Sequence, residues 1–148
     1  MKRYIYGLLM LLTIIATSSC ESYLINGDLD GFWQVSSIEN KTTCDITYCN
    51  GDTYYSFQRE LVLVSHVSPE IPTGQTKENY IAYFTCKNDS IYMTDFRIYI
   101  DKNATPAPLS KLEKFGLYDS FNIFCIETLN SQSLILDSNR TRIVLRKY

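Results

Sequence analysis

Cysteine is the residue type whose spacing carries the most chemistry in this chain. The first of the five cysteines, Cys20, ends a segment with a cationic start, Lys2 and Arg3, and an apolar run over residues 5–16. A cationic start, an apolar run of about 7–15 residues and small residues at the end are typical of a secretory signal. The run is too short to span a bilayer, which needs about 20 apolar residues. Residues 1–19 are therefore predicted to be an export signal.

Cys20 is predicted to become the first mature residue and to carry lipid on its sulfur and its amine. The segment resembles a bacterial lipoprotein signal in which Thr17 stands in place of the more usual leucine. Without residues 1–19 the chain has 129 residues, with 12 basic against 16 acidic side chains. An acidic domain gains no attraction from an anionic membrane surface, so several acyl chains, palmitate among them, would supply the attachment. We expect a lipid-anchored protein of the cell envelope, in the outer membrane, facing the periplasm or the cell surface. The alternative is an ordinary secretion signal with an incidental cysteine.

The other four cysteines suggest disulfides, because an exported domain meets an oxidising compartment. Cys44 and Cys49 are separated by four residues in a polar stretch and are the favoured bridge. Cys86 and Cys125 lie in two apolar runs, and either pair across neighbouring strands or stay as buried free thiols. Zinc is disfavoured because structural zinc sites use two closely spaced ligand pairs. Residues 26–31 imitate half a calcium loop but lack the glutamate at its twelfth position. No metal or cofactor is expected.

Histidine and carboxylates give little support to catalysis. His66, the single histidine, follows Ser65, and neighbours on a strand point to opposite faces, so the two cannot act as base and nucleophile. His66 is expected to be exposed. Nothing in the spacing of Glu60 and Glu127 brings them together for acid–base chemistry. We therefore predict no catalytic residues and no enzyme. The net charge of −2, without a basic stripe, also argues against a nucleic-acid partner.

Strand patterns cover most of the mature chain. Trp33 and Val35 alternate with polar residues in residues 32–38, the period of a half-buried strand. Other strand-like segments are residues 53–67, 79–86, 90–100, 121–129, 133–137 and 141–146. Residues 53–67 form either one bent strand or two strands joined near residues 58–60. Residues 40–52 and 68–77 are predicted to be loops.

One helix is predicted between these strands. Thr105, Pro106 and Pro108 are expected to start it. Ser110 and Glu113 match a capping box, and Gly116 matches a C-terminal cap.

The order of these elements predicts an all-β fold: a meander of seven or eight antiparallel strands with one short helix before the last three. Such a sheet exposes two edges unless it closes, and about eight strands is the size of a small barrel. A two-sheet sandwich is the structural alternative. Residues 1–19 would be the signal, residues 20–29 a lipidated tether and residues 30–148 the barrel domain.

Asp30-Gly31-Phe32-Trp33-Gln34 resembles the Gly-x-Trp opening of lipocalins. Three further segments are similar to the lipocalin-like lipoproteins of Bacteroidetes: residues 54–58, 89–91 and 145–148. The resemblance covers nearly the whole mature chain. It implies a calycin-type barrel whose floor is closed by Trp33, packed against Arg146 or, alternatively, Arg142. An arginine over a tryptophan face gains about 0.5–2 kcal/mol of cation–π energy, depending on burial.

Aromatic residues cluster in the central strands and have two interpretations. In the first, the rings line an open calyx for a small apolar or amphipathic ligand, bound by Tyr55, Phe57, Tyr83, Tyr92 and Tyr99. In the second, the rings fill a small barrel, and its loops contact a protein or glycan partner. An open interior cavity of a few hundred Å³ would favour the first interpretation, and a solid interior the second.

Overall fold

The computed structural model describes residues 25–67 and 77–148, and in this part of the chain nine antiparallel β-strands dominate. The strands are β1 Gly31–Asn40, β2 Asp45–Tyr48, β3 Thr53–Gln58, β4 Leu61–Val67, β5 Lys77–Lys87, β6 Ser90–Ile98, β7 Phe121–Leu129, β8 Ser133–Asp137 and β9 Thr141–Lys147. A 3-10 turn, Gly27–Leu29, precedes β1. A short helix, α1 Leu109–Leu112, continues into a second 3-10 turn, Glu113–Phe115.

Strand β1 closes the sheet because it pairs with β3 on one side and β9 on the other. Trp33 lies opposite Tyr55 of β3 and opposite Lys147 of β9. The remaining strands follow in chain order from β3 to β9, so eight strands form a closed barrel. Closure satisfies the backbone groups that an open sheet would leave at its edges. The predicted all-β barrel with one short helix before the last three strands is confirmed.

The ninth strand, β2, corrects the prediction of a loop over residues 40–52. It pairs with the last four residues of β1, Ser37 opposite Tyr48 through Asn40 opposite Asp45. All four of its side chains are exposed, so it carries no alternation of buried and exposed residues to reveal it.

Segment 53–67 forms two strands, the second of the two forms predicted, and the chain turns at Arg59 and Glu60. Arg59 has a left-handed backbone with φ of 57°. The predicted hairpin at residues 87–89 also forms, and Asn88 and Asp89 both have positive φ, as tight hairpin turns require. The predicted loop over residues 68–77 lies outside the described residues except for its last position, where β5 begins, and residues 1–19 and Cys20 also lie outside them.

The helix begins after Pro108, the last of the three predicted start residues, and lacks the predicted capping box. Pro108 is the N-cap, no side chain caps the first turn, and Ser110 lies inside the helix. Pro106 is instead extended and bridges to Arg97 of β6. The predicted C-terminal cap is present: Gly116 has φ of 79°, and a Cβ there would lie 2.9 Å from Cγ2 of Thr141.

The end of the barrel at which β1 begins, here called the floor, is closed around Trp33. Its indole Nε1 donates a hydrogen bond to the Leu29 carbonyl oxygen at 2.8 Å. The Lys147 ammonium lies 4.2 Å from the centre of the Trp33 ring. The same ammonium donates to the carbonyl oxygens of Asp28 at 2.8 Å and Asp30 at 2.5 Å. The first 3-10 turn, the indole and the ammonium together seal this end.

The cation over Trp33 is therefore Lys147, not Arg146 as the resemblance implied. Strand alternation explains the difference: Lys147 lies opposite Trp33 in the register, whereas Arg146 lies opposite Gln34 and faces outward. The Arg146 guanidinium donates to Oε1 of Gln34. The alternative residue, Arg142, pairs with Glu127 at 3.0 Å.

Substitution of Lys147 tests which cation closes the floor. Lys147→Met is expected to lower the free energy of unfolding by about 1–3 kcal/mol, because it removes the cation–π contact and the donor to two carbonyl oxygens. The control Arg146→Met removes an exposed guanidinium and its hydrogen bond to Gln34, and is expected to cost about 1 kcal/mol or less. Urea unfolding measures both variants, and a larger loss for Arg146→Met would contradict this assignment.

Side chains from every strand except β2 fill the barrel interior. The largest fully buried ones are Trp33, Tyr55, Phe57, Phe115, Phe124, Leu29, Ile91, Met93, Leu112, Leu117, Leu134 and Leu136. Phe57 packs edge-on against Phe84 with ring centres 5.1 Å apart. Of the two interpretations of the aromatic cluster, the interior matches a filled barrel.

Candidate mouth site

A plug closes the other end of the barrel, here called the mouth. The plug is α1 with the following turn and Leu117, and three of its apolar side chains, Leu112, Phe115 and Leu117, are fully buried. Tyr55 Oη donates to the Phe115 carbonyl oxygen at 2.6 Å and so satisfies a carbonyl near the end of the helical segment. Burial raises the pKa of Tyr55 well above its usual value, so the hydroxyl keeps its proton. Tyr80 packs edge-on against Phe115, with ring centres 6.0 Å apart.

The five predicted ligand-binding aromatic residues do not converge on one site. Tyr55 and Phe57 are buried in the packed interior. Tyr83 and Tyr99 are exposed, and Tyr92 stacks on Phe121 with ring centres 6.3 Å apart. The prediction grouped them by strand, but alternation divides them between the two faces of the sheet.

The mouth carries a cavity of about 380 Å³ beside the plug. We call it the mouth cavity and define it by six of its lining residues: Ile38, Tyr48, Asp52, His66, Lys114 and Tyr118. They come from β1, β2, β4, the second 3-10 turn and the segments next to β3 and β7. Apolar and aromatic surface combined with a few polar groups is the usual character of a small-molecule site. Sequence patterns missed it because its residues are far apart in the chain.

Hydrogen bonds fix the polar groups of the mouth cavity. Thr53 Oγ1 donates to Asp52 at 2.9 Å and lies 3.1 Å from Nδ1 of His66. His66 is half-buried, so the prediction of an exposed histidine was wrong. Burial and, to a lesser degree, the Lys114 charge lower the pKa of His66, so the imidazole is neutral at neutral pH.

The aromatic and cationic groups of the mouth cavity are also held in place. Asn40 Nδ2 donates to the Tyr118 hydroxyl at 3.2 Å, and the Arg140 guanidinium lies 4.4 Å from the Tyr118 ring centre. Lys114 forms an ion pair with Glu78, and burial lowers the pKa of its ammonium. The mouth cavity therefore has an aromatic wall and hydrogen-bonding groups that neighbouring side chains hold in place.

Cys49 also borders the mouth cavity, but its thiol is poorly suited to nucleophilic chemistry. Burial raises its pKa, with a smaller opposing effect from the hydrogen bond to Thr53. The thiolate is the reactive form, so a raised pKa leaves the group inert at neutral pH. Within residues 25–67 and 77–148, no three histidine, cysteine, aspartate or glutamate side chains cluster closely enough to hold a metal ion.

The predicted disulfides do not form, because β-structure separates both pairs. Cys44 and Cys49 flank the extended strand β2, whose three steps at about 3.3 Å per residue already span about 10 Å. A disulfide needs a Cα separation of about 4.4–6.8 Å. Cys86 of β5 lies opposite Ile91 of β6, and Cys125 of β7 lies opposite Ser90 of β6. Strand β6 therefore separates the two cysteines, which are not on neighbouring strands. Cys86 and Cys125 are exposed free thiols, neither paired nor buried.

Thiol titration tests this arrangement. We expect Cys44 and Cys125 to react rapidly with an aromatic disulfide reagent in the folded domain, because both are exposed. Cys86 is also exposed, but partial burial of its thiol and the Asp89 charge raise its pKa, so it should react more slowly than these two and faster than Cys49. Cys49 should react slowly, because it is partly buried and its pKa is raised. Cys49→Ser should remove the slowest phase alone. Recovery of a peptide linked through Cys44 and Cys49 from folded protein would contradict the structure.

The fold and this geometry agree with the comparison to known families. A family model described as a lipocalin-like domain matches residues 11–148. The chain belongs to the lipocalin-like domain family.

Two solved structures are similar to this lipocalin-like chain. A lipocalin-like protein from Bacteroides uniformis is 20% identical with a TM-score of 0.60, and the match covers 82% of this chain and 100% of that one. A protein from Bacteroides eggerthii, titled uncharacterized, is 20% identical with a TM-score of 0.61, covering 81% of this chain and 99% of that one. No curated protein matches the chain. At this identity the two structures show the shared fold alone.

Proposed function

We propose that this lipocalin-like protein is a non-catalytic binding lipoprotein of the cell envelope, and that it binds its ligand in the mouth cavity. One observation carries the proposal: the plug fills the barrel up to Phe115, while about 380 Å³ stays open beside it. A ligand in the calyx would have to displace a fully buried aromatic ring. A ligand in the mouth cavity displaces only solvent.

The lining indicates a small amphipathic ligand with hydrogen-bonding groups. Ile38 and the ring of Tyr118 offer apolar surface, and Asp52 and the neutral His66 offer acceptors and donors. The volume lies in the range of about 300–1,000 Å³ that small-molecule pockets occupy. A purely apolar ligand would leave these polar groups without partners, which costs free energy.

The alternative function is an interaction module that contacts a protein or glycan through the segment around β2. The exposure of all four β2 side chains favours it, because such a strand offers Tyr48 to a partner on the surface. In this case the mouth cavity would receive one group of the partner rather than a free small molecule.

The lipid anchor is the second part of the proposal. It is supported by the signal pattern of residues 1–19 and by the position of Cys20 at its end. Palmitate labelling in a bacterial host tests it: the wild type should incorporate the label and fractionate with membranes, and Cys20→Ser should do neither. Equal labelling of both proteins would contradict the anchor.

Native mass spectrometry of the gently extracted mature domain tests binding in the mouth cavity. We expect a reproducible bound mass that Tyr48→Ala weakens and Tyr148→Ala leaves unchanged. The two tyrosines form a matched pair, because they are 75% and 76% exposed but lie at the mouth and the floor respectively. A bare mass, with no response to a panel of amphipathic probes, would instead favour the interaction module.

A further inference from the structure

We infer that the floor of the barrel rests on the surface of a phospholipid bilayer and that the mouth cavity faces away from it. The inference rests on the proposed lipid anchor at Cys20. It adds the orientation of the domain and assigns a membrane-contacting surface, which we call the floor aromatic cluster: Phe32, Tyr54 and Tyr148.

Only a short segment of chain separates the anchor from the barrel. Five residues lead from Cys20 to Ile25, and a chain spans at most about 3.6 Å per residue, so the reach is about 18 Å. Asn26 is already fixed at the floor, where its Nδ2 donates to the Arg59 carbonyl oxygen at 2.8 Å and to Asp30 at 2.6 Å. Acyl chains on Cys20 therefore hold the floor close to the bilayer.

The length of the barrel separates the mouth from the floor. Strand β1 has ten residues, and at about 3.3 Å per residue and a tilt of about 40° it spans about 25 Å along the barrel axis. The mouth is at the far end of β1, so it lies about 25 Å or more from the floor along the barrel axis. A domain tethered at its floor by so short a segment presents its mouth to the aqueous phase when the floor contacts lipid.

The outer surface of the barrel near the floor carries a cluster of aromatic side chains. Phe32 stacks on Tyr54 with ring centres 5.0 Å apart, and Tyr148 packs edge-on against both at 5.6 and 5.7 Å. Phe32 and Tyr148 are exposed, and so is Ile25 at the start of the described chain. Tyrosine prefers the membrane interface because one end of its side chain is apolar and the other can stay hydrated.

The turns at the floor carry little net charge. The β3–β4 turn carries Arg59 and Glu60, the β5–β6 hairpin carries Lys87 and Asp89, and residues 130–132 carry no charge. Each of these three turns is thus balanced or neutral. The first 3-10 turn and its C-cap add Asp28 and Asp30 against Lys147, a net charge of −1. The floor therefore carries little net charge, and the acyl chains and aromatic rings rather than electrostatic attraction would hold the contact.

Two native cysteines allow this orientation to be measured. Cys86 lies beside the floor hairpin and Cys44 beside the mouth, and both are exposed. The lipidated protein would carry one fluorescent thiol label, with the other three unlipidated cysteines replaced by serine. It would be placed in vesicles of phosphatidylethanolamine and phosphatidylglycerol with brominated acyl chains. We expect lipid to quench the label at Cys86 at least about twofold more strongly than at Cys44, because interfacial contact reaches only about 5–10 Å deep.

A variant of the floor aromatic cluster then tests the contact itself. Phe32→Ser combined with Tyr148→Ser should reduce quenching at Cys86, whereas the matched control Phe121→Ser, an exposed ring at the mouth end of β7, should not. Equal or reversed quenching at the two labels in vesicle-bound protein overturns the inference. A double variant that leaves quenching unchanged also overturns the inference. If that variant abolishes a dimer, the cluster binds a second copy of the chain instead of the bilayer. Wild type that does not associate with vesicles overturns the anchor, and the proposed function fails first. The comparison of labels uses intact aromatic residues, so it stands even where the double variant fails to fold.

Discussion

Phe115→Ala is expected to lower the free energy of unfolding by about 3–5 kcal/mol, the usual cost of removing a large buried aromatic ring. The ring is fully buried, it packs against Tyr80, and its own carbonyl accepts the Tyr55 hydroxyl. Its removal leaves a cavity under the plug that neighbouring side chains can refill only in part.

The same variant should also convert the filled barrel into a calyx. We expect it to bind an apolar probe such as benzene, which the wild type should not bind, because dry apolar cavities accept such ligands. Urea unfolding gives the stability, and probe titration gives the opened volume. The control Phe121→Ala removes a ring that is 51% exposed and is expected to cost under about 1 kcal/mol. Equal losses for the two variants would contradict the role of Phe115 as a plug.

Trp33→Ala is expected to cost about 3–5 kcal/mol for the same reason at the other end of the barrel. The indole is fully buried, and its loss also leaves the Leu29 carbonyl oxygen without its donor. Trp33 is the single tryptophan of the chain, so unfolding must be followed by circular dichroism rather than by fluorescence.

Trp33→Phe separates packing from hydrogen bonding at the floor. It keeps an aromatic face beneath Lys147 but removes the Nε1 donor, and a buried carbonyl left unsatisfied costs about 1–3 kcal/mol. We therefore expect Trp33→Phe to fall between the wild type and Trp33→Ala. If it were as damaging as Trp33→Ala, the ring volume would contribute nothing at this position.

The packed interior determines where this lipocalin-like barrel can bind a ligand. Its interior is occupied by its own side chains, and the mouth cavity lies outside this core, bordered by β2 and the plug. Binding at the mouth leaves the core intact, so a ligand need not compete with the folding energy of the barrel. With the floor held at a membrane, the same cavity would be presented to soluble ligands.

The sequence alone determined most of the strands of this protein, their order and the position of its helix. Residues 32–38 alternate with period 2, Asn88-Asp89 marks a hairpin turn, and Gly116 ends the helix, because each is a local property of backbone and side chain. Such signals act within a few residues and are readable in order. They sufficed for a meander with one helix before the last three strands, while the choice of a closed barrel over a sandwich rested on the pairing of β1 with β9.

The tertiary structure alone decided which side chains meet. Register placed Lys147 rather than Arg146 over Trp33, since a shift of one residue turns a side chain to the other face. Pairing with β1 made a strand of β2 and so moved Cys44 and Cys49 apart. The mouth cavity joins Tyr48, His66 and Tyr118, residues up to 70 positions apart, and no local pattern encodes that meeting. Contacts between distant segments depend on the closure of the whole barrel, and closure is a property of all eight strands together.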